Sequence, residues 1–460
     1  MTLDRSESGE LERAVESTAD LVDFFRNGEK PRAAWRLGME HENLALFEKS
    51  FEPVPYEGER GIEALLERYG QDGGWKPVIE GGHLIALDRD GQSITLEPGG
   101  QLELSGRPWV SALAAAQEFR DHLAALARVS EPFGIAWLAL GMQPLHGTSR
   151  APRIPKERYH IMREYLPAHG SMALDMMHVT ASVQVSFDFS DEEDMTSKLR
   201  TSLACGPIVS AIYANSSLAD GKPTGYVSKR MVVWRHMDPA RCGPLPFVFA
   251  PGFGYARYAE WALDVPMFFV LRGERYLAMH GKTFRQFLSE GHAGEQATLA
   301  DWNRHLTTVF PDVRMKRVIE VRGADSCPAD LACSVPALWK GLLYDPQACE
   351  AAFSLVSGWS PDDQERAYAA VARRGLAAEA NGRKVLDLAR ELLALAREGL
   401  ARQTDLRGRG EPGAAGDERS LLEPVAAQLA RGQSPGQVLL DEWEGAFGRA
   451  PDRLIQYARY

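Results

Sequence analysis

Cysteine is scarce in this 460-residue chain. Its five thiols, Cys205, Cys242, Cys327, Cys333 and Cys349, stand far apart, and no CxxC pair occurs. An odd, scattered set reads as isolated reduced thiols, which excludes a disulfide framework and a cysteine-based metal site. The HExxH zinc motif is also missing, although His41 stands between Glu40 and Glu42. A lone histidine in that setting reads as structural rather than as a ligand. No apolar run approaches membrane-spanning length; VPMFFVL at 265–271 is among the longest. The opening MTLDRSESGELERAVES is acidic and lacks the basic and apolar stretches of a secretion signal. These absences lead to the expectation of a cytoplasmic protein without membrane partners. Positive charge is in deficit, with 52 Lys and Arg against 63 Asp and Glu, a net charge of −11. Nucleic acid is thereby excluded as the main partner, because phosphate backbones call for basic patches.

Two nucleotide-binding motifs fail as well. Gly281-Lys282-Thr283 resembles the end of a P-loop, but Tyr276 stands where its first glycine belongs. Gly252 and Gly254 lack the third glycine of a dinucleotide fingerprint, since Arg257 occupies that position. The remaining make-up, 45% apolar and 25% charged, is that of a globular protein.

What the chain does have is glutamate in strand-like settings. Residues 94–106, ITLEPGGQLELSG, put Glu97 and Glu103 either side of a Pro-Gly-Gly turn. After the turn Gln101, Glu103 and Ser105 alternate with Leu102 and Leu104, the period of a half-buried strand. Glutamate is a modest strand former, so its recurrence there asks for a cause. RLGMEHENLAL from residue 36 places Glu40 and Glu42 on one side of a strand. SVQVSFDF at 182–189 opposes an apolar stripe to a polar one of Ser182, Gln184, Ser186 and Asp188. MKRVIEVR at 315–322 puts Lys316, Val318, Glu320 and Arg322 on one face. If these segments pair into one antiparallel sheet, Glu40, Glu42, Glu97, Glu103 and Glu320 converge. Carboxylates that close repel and raise each other's pKa unless cations neutralise them. Oxygen ligands without a His/Cys cluster suit magnesium, or manganese, rather than zinc.

Helical periodicity appears at 11–27, 62–69, 109–129 (after Pro108), 156–165 and 192–215, the last with Ser190 as a candidate N-cap. From residue 346 Ala, Leu, Arg and Glu at helical spacing dominate as far as 402. A loop expected to be flexible follows at 404–417, then two short helices. The order, sheet and helices first and a helical region after, gives the class α+β. The expected division is a catalytic region at 1–345 and a helical C-terminal region at 346–460 packed on the same domain.

These segments resemble one family. GMEHEN at 38–43, ITLEPGGQLELSG, DMMHVTASVQVSFDFS at 175–190, GKPTGYVSKRMVVW at 221–234, RCGPLPFVF at 241–249 and HLTTVFPDVRMKRVIEVRGAD at 305–325 look like plant-type glutamate–cysteine ligase, in the family's order. The resemblance implies a glutamine-synthetase-like fold, a curved antiparallel sheet wrapped by helices. It also implies a reaction: ATP phosphorylates the γ-carboxylate of L-glutamate, and the amine of L-cysteine displaces phosphate, the first step towards glutathione or a related thiol. The implied partners are therefore small molecules, acting on a monomer or homodimer. By match to the family's motifs, Glu40, Glu42, Glu97, Glu103 and Glu320 are magnesium ligands. Gln184 completes the metal or nucleotide site. Arg322 stabilises the transferred phosphoryl group with Glu320 beside it, and Arg230 clamps the α-carboxylate of glutamate, since a guanidinium grips carboxylate bidentately.

This chain departs from the family pattern at 178–181, where LRTC is replaced by His178-Val179-Thr180-Ala181. Ala181 removes the cysteine of the plant regulatory disulfide, so that switch is expected to be absent. Val179 in place of arginine is expected to alter recognition of one substrate, the acceptor. The alternatives to the ligase reading are a γ-glutamyl ligase for another amine and a non-catalytic nucleotide-binding homologue. All five carboxylates stand, which favours the enzyme.

Overall fold

Strand β1 (Leu37–Phe47) carries the architecture. In its first half Leu37, Met39 and His41 are buried, while Gly38, Glu40 and Glu42 look out half-buried from the other face. The computed structural model describes residues 11–71, 73–408 and 410–460. The start of the acidic opening segment, and Arg409 in the expected flexible loop, lie outside the described residues.

Eight more strands join β1 in one open antiparallel sheet. They are β2 (Lys76–Glu80), β3 (His83–Arg89), β4 (Gln92–Leu96), β5 (Leu102–Ser105), β6 (Ile135–Leu138), β7 (Ser182–Phe187), β8 (Val313–Met315) and β9 (Ile319–Asp325). The order is β8-β9-β7-β1-β5-β4-β3-β2, with β6 also beside β1. β1 pairs with β5 from Glu40 to Asn43, with β7 from Leu37 to His41 and with β6 from Leu44 to Phe47. The class is α+β, as the order of elements implied.

Helices pack on the sheet and on one another. Glu192–Ile212 runs along β9, and Ala112–Ser130 lies against β1, where Phe119 meets the His41 ring at 4.4 Å between centroids. One apolar core runs from Leu11 to Leu429, so the C-terminal helices share the core of the sheet. Helix Val385–Arg402 touches helix Ser334–Leu343 through glycines: a Cβ on Gly399 would lie 1.9 Å from the Gly341 carbonyl oxygen. The loop at 404–417 is irregular but anchored. Lys340 Nζ, wholly buried, donates to the Leu406 carbonyl and to both oxygens of Glu418, while Glu411 accepts from the N–H groups of Val110 and Ser111.

Two helix starts and one cap residue differ from the sequence reading, each for a capping reason. The helix expected at 11–27 is Thr18–Arg26, because Asp20 Oδ2 accepts the N–H groups of Glu16 and Ser17 and starts it there. The helix after Pro108 begins only at Ala112; Trp109 bridges Leu37, and Ser111 Oγ accepts the Leu113 N–H. Asp191, not Ser190, caps Glu192–Ile212, accepting from the Asp194 N–H at 2.9 Å.

Candidate active site

Register brings the acidic residues together. β5 sets Glu103 opposite Glu42 and Ser105 opposite Glu40, and on the other flank β7 sets Gln184 opposite Glu40. Paired residues project from one face of a sheet, so these side chains share a surface. Glu97 reaches the same surface from the turn between β4 and β5. That turn calls for glycine twice: a Cβ on Gly99 would lie 2.1 Å from the His178 carbonyl oxygen, and Gly100 has φ +81°. Glu40, Glu42, Glu97 and Glu103 line one cavity of about 330 Å³, together with Thr95, Ser105 and Gln184. Its wall also holds Arg158, Arg304, Arg314, Lys316 and Arg322, and the rings of Tyr159, Phe269, Tyr276 and Phe310.

The carboxylates strain against one another. Burial, then the charge of Glu97, pushes the Glu42 carboxyl up to about 7 despite the pull of Arg230 and Arg322. Glu42 keeps one oxygen on the N–H and hydroxyl of Ser182, at 2.6 and 3.1 Å, and the other 3.3 Å from Gln184 Nε2. Burial, then Glu40, Glu97 and Glu42, pushes the Glu103 carboxyl well above the ordinary range. Among the described residues no three of His, Cys, Asp or Glu form a ready-made metal cage. The donor set nevertheless fits a hard divalent cation: four carboxylates line one cavity, and a cation between them would offset the repulsion that raises Glu42 and Glu103.

Glu320, expected among the metal ligands, stands apart from this set and does not line the cavity. It is 1% exposed. One oxygen accepts from Arg314 Nε at 2.7 Å; the other accepts from Arg314 Nη2 at 2.9 Å and Arg322 Nη1 at 2.7 Å. Burial alone would push this carboxyl up, but Arg314, Lys316 and Arg322 hold it well below its usual range. Guanidinium N–H groups take most of its acceptor capacity. The segment around it is also not one strand: Lys316 N–H donates to the Val318 carbonyl in a tight turn between β8 and β9. Further on, β9 bulges between Val321 and Ala324, where three residues pass while β7 advances two. The bulge carries Arg322, whose guanidinium donates to Gln184 Oε1 and Glu320.

Arg230 is 3% exposed, on helix Lys229–Arg235 behind Ser228, whose Oγ accepts the Met231 N–H. It donates from Nη2 to the Arg322 carbonyl at 3.0 Å and lies 3.5 Å from Asp325. With Trp234, Phe310 and Arg322 it lines a small pocket of about 30 Å³ that shares Arg322 and Phe310 with the carboxylate cavity. His41 points the other way, its Nε2 2.7 Å from the Tyr460 hydroxyl. Val179 is buried against Met142 and Val233. Sequence reasoning missed Arg158, Arg304 and Arg314. For Arg314 a signal existed, since it alternates with Lys316; Arg158 and Arg304 join the cavity only through packing.

An open antiparallel sheet with a carboxylate-lined face belongs to the glutamine-synthetase-like folds. The fold matches the crystal structure of glutamate–cysteine ligase from Francisella tularensis in complex with AMP, with a TM-score of 0.53 over 92% of this chain and 89% of that one, at 12% identity. Sequence narrows the class. The profile of glutamate-cysteine ligase family 2 matches residues 36–453, and the chain belongs to that family. It is 41% identical to chloroplastic glutamate–cysteine ligase B of Oryza sativa subsp. japonica, over 98% of this chain and 89% of the relative. With the chloroplastic glutamate–cysteine ligase of Nicotiana tabacum it shares 39% identity, over 96% of this chain and 82% of the relative. These relatives are chloroplastic, which overturns the cytoplasmic expectation. The physical reason is plain: free thiols mark a reducing compartment, of which the cytoplasm is only one. Among the described residues, no helix is long and apolar enough to cross a membrane.

Proposed function

We propose that the protein is an ATP-dependent ligase that joins the γ-carboxylate of L-glutamate to the amine of L-cysteine through γ-glutamyl phosphate, releasing ADP and phosphate. The observation that carries the proposal is one cavity lined by Glu40, Glu42, Glu97 and Glu103 beside Arg314 and Arg322, in a chain of the glutamate–cysteine ligase family. Phosphoryl transfer is catalysed mainly by positioning and charge neutralisation, and both signs of charge stand here.

In this reading the four carboxylates would hold magnesium, which when bound offsets phosphate charge. The rings of Phe269 and Tyr276 offer a flat apolar wall for the base of ATP. Arg322 bears on the moving phosphoryl group, held in direction by Glu320 and Gln184. Arg230, buried and tied to Asp325, grips the α-carboxylate of glutamate. The named groups come from one chain, which supports action as a monomer or within each half of a homodimer. We assign 1–345 to catalysis and 346–460 to its support. A second reading, another amine as acceptor, rests on Val179, which packs against Val233 of the helix bearing Arg230. The deciding assay supplies purified protein with ATP, magnesium and glutamate, adds a panel of amines, and measures phosphate. Release with cysteine above all others is expected; no release with any amine would overturn the proposal.

A further inference from the structure

A second and larger cavity, about 470 Å³, opens on the opposite face of the same sheet. Leu104 lies in its lining, whereas its neighbours Glu103 and Ser105 line the carboxylate cavity. Helix Ala112–Ser130 forms one wall, and Pro412 and Gly413 of the anchored loop form another. Its volume lies within the roughly 300–1,000 Å³ typical of small-molecule sites.

The lining carries three arginines, Arg89, Arg107 and Arg128, against two carboxylates, Glu118 and Asp121. Arg89 stacks on the Trp75 indole, 4.2 Å from the ring centroid, and is held there by the Gly73 carbonyl and Gln92. Arg107 has only distant carboxylates, Asp90 at 3.7 Å and Glu118 at 4.0 Å. Arg128 is exposed and makes no ion pair among the described residues. Glu118 offsets part of this charge from 4.0 Å, its oxygens accepting from Gln92, the Arg107 N–H and the Trp109 indole. Asp121 is exposed and engaged with Gln117. His122 is 5% exposed; its Nδ1 meets the Tyr69 hydroxyl at 3.0 Å while its Nε2 is buried without a partner. A buried polar atom left unpaired is costly, and a polar ligand or water beside it removes that cost.

We propose that this cavity binds a small organic anion, a carboxylate or a phosphate ester, with its charge on Arg107 and Arg128 and its body against Trp75 and Trp109. The site shares no lining residue with the reaction cavity, which lies across β4 and β5. An occupant is therefore expected to alter the reaction without competing with ATP or glutamate.

Calorimetry tests this on the full chain, with ATP, magnesium and glutamate already saturating, using citrate as the carboxylate probe and glucose 6-phosphate as the phosphate ester. The expected result is one binding event for at least one probe, weakened tenfold or more in the Arg107→Ala/Arg128→Ala double variant. Which probe binds distinguishes the two sources of charge. Ala125→Trp, which fills the cavity from the helix wall, keeps the test valid if the double variant folds poorly, and is expected to abolish binding. Circular dichroism and phosphate release in the absence of probe report whether each variant is intact. Binding of neither probe, or binding unchanged in both folded variants, would overturn the proposal. Failure of the ligase reading would instead appear as absent phosphate release, whatever the calorimetry shows.

Discussion

Glu320→Gln and Glu103→Gln are both isosteric removals of one negative charge, yet the structure gives them opposite effects on the stability of the metal-free protein. Glu320 sits among three cations, with Arg314 and Arg322 at 2.7 Å and Lys316 at 3.7 Å. At an effective dielectric of about 20, one unit pair at about 3 Å is worth about 5 kcal/mol before desolvation is counted. Breaking a buried pair by removing one partner costs about 3–5 kcal/mol, because the partner charge stays buried and uncompensated. The carboxamide retains one acceptor oxygen, so part of the hydrogen bonding to Arg314 and Arg322 is lost together with the charge. Glu320→Gln is therefore expected to lower unfolding free energy by about 3–5 kcal/mol. Glu103 has the reverse surroundings: burial and the charges of Glu40, Glu97 and Glu42 already disfavour its ionised form. Glu103→Gln relieves that repulsion, so stability is expected to hold or rise while turnover falls by orders of magnitude. Urea denaturation in chelator, without substrates, reads both variants on one scale. A Glu320→Gln protein as stable as the parent would refute the ion-pair assignment.

Three further outcomes follow from the same geometry. Arg322→Lys is expected to lower kcat, and Arg230→Lys chiefly to raise the KM for glutamate. Each effect should be about 10- to 100-fold, from the ~1.5–3 kcal/mol of a hydrogen bond to a charged group; identical kinetic signatures would defeat the division of roles. Burial pushes the Lys156 ammonium down from 10.5 to about 7, its Nζ donating to the Leu96 carbonyl at 2.8 Å. The unfolded chain then binds more protons between these two values, so stability rises with pH across that window. Lys156→Met should flatten the rise, and an unchanged pH slope in denaturation would contradict it. In competition at equal concentrations, cysteine should exceed 2-aminobutyrate by the roughly 1–3 kcal/mol that a pocket gains from near-isosteres; preference for an unrelated amine would favour the second reading.

Much of the acidic face was legible from period two alone. Glu40 with Glu42, and Glu103 with Ser105, had to share a side because successive strand residues point to opposite faces. The sequence by itself also determined the α+β class, through alternation giving way to helical spacing, and the turn at Pro98-Gly99-Gly100. Which strands neighbour one another is a matter of long-range pairing, and only the tertiary structure decided that β5 and β7 flank β1 so that four glutamates line one cavity. The same holds for Glu320. Its spacing from Arg322 grouped it with the metal ligands, but a tight turn after β8 returned Arg314 to lie against it, and two guanidinium groups took its oxygens. Arg230 stood beside other basic residues, Lys229 and Arg235, and only the fold buried it next to Asp325. The sequence sets which face a side chain takes; the fold sets what stands opposite it, because partners distant in the chain are chosen by packing rather than by spacing.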